Sequence, residues 1–417
     1  MKKALITIIC LFVYLSGTAM AGTVIAMRGD GTVVFIDDQK EEIADRVVTG
    51  EYGGSMGAVT PDGKLLYVAN TSPGSYCTSI IDVEKRALIK NLPTGPRPAH
   101  AYVSHDGKLV GVAHKFSENG TIVIAIIDTN SNMVKHRLMI DIENSGYRGV
   151  LNPHNTWLRD GKHLLVPNWA DNVVHVIDAQ EGKEVARLQL EGNPHNFNTT
   201  RDNKELWVAV DAVEDASGKK VGCGQIVIFD IPGILSSPPV TAPKTSFCLT
   251  TKPGEPQNGH HTAFTRDGKY AYAANNGKGN VGTSINVFDI ETKKLVANLT
   301  GGGKGVGHPF MSPDGKYVVV GQYGANVLTF IDAGKHEVVK ELPVGEGKGV
   351  QWVAFTPDNK KAFANNVEDD AVYVIDMKKL EVRKKIETAE PDKKWKTQWH
   401  VTNGWYQVYE VVETSLK

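Results

Sequence analysis

A three-residue phrase, Asp-Gly-Lys or its variant Asp-Asn-Lys, recurs seven times along this chain, each time between two short apolar runs. It stands at Asp62-Gly63-Lys64, Asp106-Gly107-Lys108, Asp160-Gly161-Lys162, Asp202-Asn203-Lys204, Asp267-Gly268-Lys269, Asp314-Gly315-Lys316 and Asp358-Asn359-Lys360. Gly and Asn tolerate positive φ, so the phrase suits a tight hairpin. A second marker follows each hairpin, where a β-branched run ends in Ile-Asp or Phe-Asp: Ile36-Asp37, Ile81-Asp82, Ile127-Asp128, Ile177-Asp178, Phe229-Asp230, Phe288-Asp289, Ile331-Asp332 and Ile375-Asp376. These eight copies are 43 to 59 residues apart, and each leads through a polar turn into a charged run such as Ala87-Leu88-Ile89-Lys90. One unit is four strands, the content of a propeller blade.

The fold expected is all-β: a single propeller of eight four-stranded blades, with seven as the alternative. Seven hairpins and eight Ile/Phe-Asp strands agree if the ring closes by sharing. Residues 23–49 supply three strands, and Gln398-Trp399-His400-Val401-Thr402 repeats the phrase Gln351-Trp352-Val353 that opens the preceding blade. Pairing the two ends hides otherwise exposed sheet edges. Irregular connections are expected over 141–152, 212–223 and 232–259. The last holds Pro232, Pro238, Pro239, Pro243, Pro253 and Pro256, which argues against regular strand or helix there. It reads as a surface insertion or as a loop that reaches a partner or the channel mouth. Gly301-Gly302-Gly303-Lys304-Gly305 joins two blades and reads as a flexible connection, not a phosphate cradle.

The first residues have the form of an export signal. Lys2 and Lys3 precede the apolar run Ala4 to Leu15, and Ala19-Met20-Ala21 is an A-x-A cleavage site. Residues 1–21 are therefore expected to be removed, leaving a propeller over 22–417 in the periplasm or an equivalent extracytoplasmic compartment. No other run approaches transmembrane length. Such a compartment permits a Cys223–Cys248 disulfide and leaves Cys77 free. No C-x-x-C-H occurs, so no covalently attached haem is expected. A formal net charge of -1 makes nucleic acid an improbable partner.

Aligning the repeats on the hairpin Asp exposes a column six residues earlier: Met56, His100, His154, His261, His308 and Trp352. The Asp202 repeat has Asn196 there, with His195 one residue before, and the closing repeat offers Trp399 and His400. Histidine makes up 13 of 417 residues, so four in seven aligned positions is far above chance. The column opens each innermost strand, where side chains face the central channel. The candidates to line it are His100, His154, His195, His260, His261, His308, Trp352, Trp399 and His400. Convergent imidazoles suit a transition metal or a haem iron. The plain alternative is that each imidazole hydrogen-bonds the next blade's backbone and fastens the ring. No G-x-S-x-G, H-E-x-x-H or P-loop is present, so no catalytic residues are assigned.

Phrases such as Val59-Thr60-Pro61-Asp62-Gly63-Lys64-Leu65-Leu66-Tyr67-Val68-Ala69-Asn70 resemble the YVTN-type repeats of bacterial propellers, among them the eight-bladed haem d1 domains of cytochrome cd1 nitrite reductases and their biogenesis proteins. In d1-binding members, channel histidines ligate or neighbour the macrocycle, which implies that role for His100, His154, His195, His261 and His308. An exported propeller without haem motifs is also similar to the β subunits of hydrazine synthases. That likeness implies a non-catalytic subunit in nitrogen metabolism, with haem on partner subunits, located in the anammoxosome. This is the leading functional expectation. A non-covalent haem d1 or metal cofactor is the second. The third is a lactonase, because Gly259 to Tyr270 resembles phosphogluconolactonase propellers, though those enzymes are cytoplasmic.

Overall fold

A computed structural model describes residues 22–389 and 398–402, apart from 145, 148, 152–153, 215–219, 250–257 and 278–280. The proposed leader, residues 1–21, lies outside the described residues. The chain is all-β and folds as a propeller. Strands Gly54–Val59, Leu65–Asn70, Cys77–Asp82 and Ala87–Pro93 pair antiparallel in chain order. The same four-strand pattern recurs in the sheets that open at Pro98, Thr156, Pro194, Gly259, Val306 and Val350. Neighbouring sheets meet face to face. Leu165, Val174 and Val176 of one pack with Leu206, Val208 and Phe229 of the next, all buried.

Two recurring turns hold each sheet, and both rest on aspartate. In the Asp-Gly-Lys hairpin, a hydroxyl two residues earlier donates to the Asp Oδ1: Thr60 to Asp62 at 2.6 Å, Ser104 to Asp106 at 2.7 Å, Thr265 to Asp267 at 2.7 Å and Ser312 to Asp314 at 2.6 Å. The same hydroxyl accepts the backbone N–H five residues on, as in Tyr270 to Thr265 at 2.9 Å. Leu158 replaces the hydroxyl in the third hairpin, and there Asp160 accepts from the His163 backbone at 3.0 Å instead. In the Ile/Phe-Asp turn, the carboxylate accepts backbone N–H groups two or three residues later, as Asp376 does from Lys378 and Lys379, both at 2.9 Å. In all of these turns but the one at Asp230, the chain then passes through a left-handed residue, such as Asn132 at φ 55° or Leu380 at φ 54°.

The N-terminal strands Thr23–Arg28, Thr32–Asp37 and Glu42–Val48 form a three-strand set whose free edge is taken by Gln398–Thr402, with Met27 opposite His400. On the other side, Val24, Ala26 and Val34 share a core with Phe363, Val372 and Val374. A buried ion cluster lies beside this seam. Arg28 is 1% exposed. It donates to Asp30 Oδ2 at 3.2 Å, to Thr388 Oγ1 at 3.1 Å and to Asp370 Oδ2 at 3.0 Å.

The 232–259 segment differs from expectation. Ile231–Ile234 is a single helical turn capped by Asp230, and Thr245–Cys248 is the outer strand of its sheet. Proline is compatible with a first helical turn because the N–H it lacks has no partner there. The 301–305 glycines also serve another end than flexibility. A Cβ on Gly303 would lie 2.6 Å from the Ala325 Cβ, which has no rotatable bond to move it aside, so glycine allows the close approach.

Candidate cofactor site in the channel

The histidine column coincides with a defect repeated in the inner strands. Pairing registers shift between Pro98 and His100, Pro194 and Asn196, Gly259 and Thr262, Val306 and Pro309, and Val350 and Val353. A bulge breaks the in-out alternation and re-aims a side chain. The prolines and glycines around the column are where such breaks form at low cost. His195, His260, His261, His308 and Trp352 all lie at or within these shifts.

The side chains so directed meet. The His100 and His154 rings stack at 4.1 Å, and His154 lies 4.9 Å from His195 and 5.2 Å from His261. His195 is 4.2 Å from His260, His260 4.6 Å from His261, and His261 4.0 Å from His308, all between ring centroids. Trp352 stacks on His308 at 4.1 Å. Six of the candidate histidines and Trp352 thus form one cluster drawn from successive sheets. Trp399 and His400 lie on Gln398–Thr402, and their side chains are outside the described residues. Met56, the column's first member, has its Cα opposite that of His100.

Crowding sets the charge of these rings. Burial, reinforced by neighbouring imidazoles, pushes His154, His195 and His261 well below the usual histidine range. Burial pushes His260 down to about 4, against a backbone hydrogen bond that favours its charged form. At neutral pH they are neutral and carry a lone pair. His260 Nδ1 donates to the Gly307 carbonyl of the next inner strand at 3.1 Å, which is the fastening geometry, and leaves its Nε2 as a donor to a metal. The Tyr323 hydroxyl meets His308 Nε2 at 3.1 Å. His261 is 9% exposed, and its Nε2 has no hydrogen-bond partner. His154, His195 and His261 form one group whose ligand atoms lie within 4.8 Å of one another, and His260, His261 and His308 form a second.

A cavity of about 240 Å³ opens on the cluster, with His154, His261, His308 and Trp352 in its wall. Trp157, Phe197, Phe264, Phe310 and Phe355 also line it, with Arg159, Arg201 and Arg266. Arg159 Nε donates to Thr199 Oγ1 at 3.2 Å, Arg201 Nη1 to the Arg266 carbonyl at 2.6 Å and Arg266 Nε to the Ser312 carbonyl at 3.3 Å, so each is tied to the next sheet. Arg266 stands in the hairpin turn beyond the far end of the inner strand that carries His261. No Asp or Glu is among the described residues lining the cavity. This cationic arc was missed in the sequence, although the alignment that yields the histidines holds it too. Each arginine directly precedes its hairpin Asp, in three successive repeats.

Away from the channel, Cys223 and Cys248 are joined by a disulfide, Cα–Cα 5.6 Å, that ties the outer strand Thr245–Cys248 to the start of its neighbour; Cys77 is free. Among the described residues no helix is long and apolar enough to cross a membrane.

Comparison with known proteins agrees with this architecture. The family model of the cytochrome D1 heme domain matches residues 147–322, a span that contains His154, His195, His260, His261, His308 and all three arginines. No curated protein matches the chain by sequence. Among solved structures, the dihydro-heme d1 dehydrogenase NirN in complex with DHE superposes with TM-score 0.70 at 18% identity, over 94% of this chain and 76% of that one. The hydrazine synthase of Kuenenia stuttgartiensis gives TM-score 0.55 at 19% identity over 78% and 95%. The periplasmic gluconolactonase PpgL of Pseudomonas aeruginosa gives 0.57 at 15% over 78% and 96%. These likenesses establish the propeller. The last, by its name a periplasmic lactonase, shows that not every lactonase propeller is cytoplasmic.

Proposed function

We propose that this chain, a β-propeller of the cytochrome d1 type, is an exported cofactor-binding subunit that holds an iron tetrapyrrole non-covalently in its channel. One observation carries the reading: His154, His261 and His308, drawn from three different sheets, stand in the wall of an aromatic cavity that also carries three arginines. The proposal includes an eight-bladed ring over residues 22–417, closed by pairing of its two ends, in a periplasm-like compartment.

The donor set and walls fit such a group. His154 stands in the cavity wall, is partly accessible and offers an uncharged nitrogen to an axial position; His195, also partly accessible and 4.9 Å from it between ring centroids, is a second candidate. The aromatic side chains present apolar faces to a planar ring. Arg159, Arg201 and Arg266 would hold carboxylates at its edge. A bound tetrapyrrole would supply the redox chemistry that the chain's own residues lack. The chain has no covalent haem motif, so electrons would be exchanged with a haem-bearing partner. The volume fits less well. About 240 Å³ is below the ~300–1,000 Å³ usual for pockets that enclose a small organic ligand, so a tetrapyrrole would be enclosed only in part.

That shortfall favours a second reading, a haem-free subunit of an exported redox complex, as the likeness to hydrazine synthase suggests. A lactonase reading gains less. The Gly259 to Tyr270 phrase forms an inner strand with its hairpin, so its likeness to lactonase sequences lies in residues the repeat itself requires.

The test is an absorption spectrum of protein exported and purified from its native source, followed by haem titration of the colourless form. A Soret band that shifts in His154→Ala or His195→Ala supports the cofactor reading. A colourless protein that binds no haem, and copurifies with haem-bearing chains, replaces it with the second.

A further inference from the structure

A tetrapyrrole iron uses two axial ligands at most, and six imidazoles meet in this channel. Four are left over, and fastening does not account for them all. We infer that His260, His261 and His308 form a separate non-haem metal site, of a kind suited to Zn²⁺ or Cu²⁺, built from buried imidazoles of the cluster.

All three residues are buried, and their ligand atoms lie within 4.8 Å of one another. Nitrogens placed tetrahedrally at ~2.1 Å from one ion stand about 3.4 Å apart, so ring rotations of roughly an ångström close the site. The outer partners are already in place. Gly307 carbonyl accepts from His260 Nδ1 at 3.1 Å, which fixes the tautomer and presents Nε2 inward. Tyr323 hydroxyl contacts His308 Nε2 at 3.1 Å, and Trp352 stacks on the same ring at 4.1 Å, so that ring is held in plane. A carbonyl or hydroxyl behind each imidazole is what orients metal-binding histidines. His261 lies between the two with its buried Nε2 unpartnered, and a buried polar atom without a partner is costly unless something else engages it. Neutral imidazole is the ligand form of histidine, and an all-nitrogen set selects borderline ions over Ca²⁺ or Mg²⁺. Three protein ligands leave a fourth position for water or a small ligand.

This site does not depend on tetrapyrrole binding, and its test keeps the two apart. Mature full-length protein is stripped with chelator and titrated with Co²⁺ and Zn²⁺, with bound metal counted by mass spectrometry. One equivalent is expected, with four-coordinate Co²⁺ bands. His260→Gln and His308→Gln should each weaken binding at least a hundredfold, and Tyr323→Phe by about 10–100-fold. His154→Gln should keep the metal while its haem spectrum shifts or its haem binding weakens. Folded wild type that takes up no stoichiometric metal overturns the inference, as does unchanged affinity in folded His260→Gln. If the histidine variants do not fold, Tyr323→Phe decides: wild-type affinity there counts against the site. Loss of haem binding alone leaves the metal result standing.

Discussion

An imidazole in a crowded, water-poor channel gives up its proton far more readily than one in solution, which makes acid the natural stress on this site. The folded-state values of His154, His195, His260 and His261 are depressed, so the unfolded chain binds more protons than the folded one below the ordinary value of about 6.5. Their contribution to stability is complete above that pH. It is lost as pH falls toward the folded values, about 4 for His260. The unfolding midpoint should therefore drop between pH ~6.5 and ~4, and less steeply in His260→Gln. An equal slope in both proteins would refute this assignment. The histidine column could be read in the sequence because one register position carries a rare residue in several repeats. The arginines escaped because a charge beside a surface turn ordinarily marks solvent, and only the arrangement of sheets around a channel places that charge on a cavity wall. Turn chemistry is testable residue by residue too. Asn203 stands at φ 54° where most hairpins have glycine, so Asn203→Ala should cost about 1 kcal/mol and Asn203→Gly should be near neutral, measured by denaturant unfolding.

Within one sheet, aspartate turns and hydroxyls set where each strand begins. Thr265 both donates to Asp267 and accepts from the Tyr270 backbone, so Thr265→Val should lose about 1–2 kcal/mol, measured by thermal melting, although the methyl groups fill the same space. The strands were legible because these turns are local, with every partner within five residues. The bulges that aim the histidines were less so. Pro and Gly marked the places, but a register shift is a relation between two strands, and no single strand states it. The outer strand Thr245–Cys248 was hidden for the opposite reason. Prolines surround it without interrupting it, and its pairing with Gln225–Asp230 leaps a connection no pattern predicts.

Across the whole molecule, the seam between first and last repeats depends on charge as well as on sheet pairing. Burial works to raise Asp30, but Arg28 outweighs it and holds the carboxyl below the usual range. A depressed carboxylate stabilises fully above its unfolded value near 3.9, and that contribution is lost as pH falls through the folded value, a window below the histidine one. Arg28→Ala strands Asp30 and Asp370 in the interior without their cation and should cost about 3–5 kcal/mol, seen as a lower melting temperature and early proteolysis at the seam. A melting curve like that of wild type would show that the seam is held by packing alone. Sequence could suggest that the ends meet, from the Gln-Trp phrase shared by 351–352 and 398–399, but not this ion cluster, whose members are far apart in the chain.

Arg28 and Asp370 lie 342 positions apart, so the knot they tie cannot be drawn until nearly the entire polypeptide has been made. A truncated product keeps the Arg28–Asp30 pair but lacks Asp370 and Thr388, and its first strand edge stays unclaimed. Under the export proposed above, such late fastening would be an advantage, because the seam could not lock before the chain had crossed the membrane.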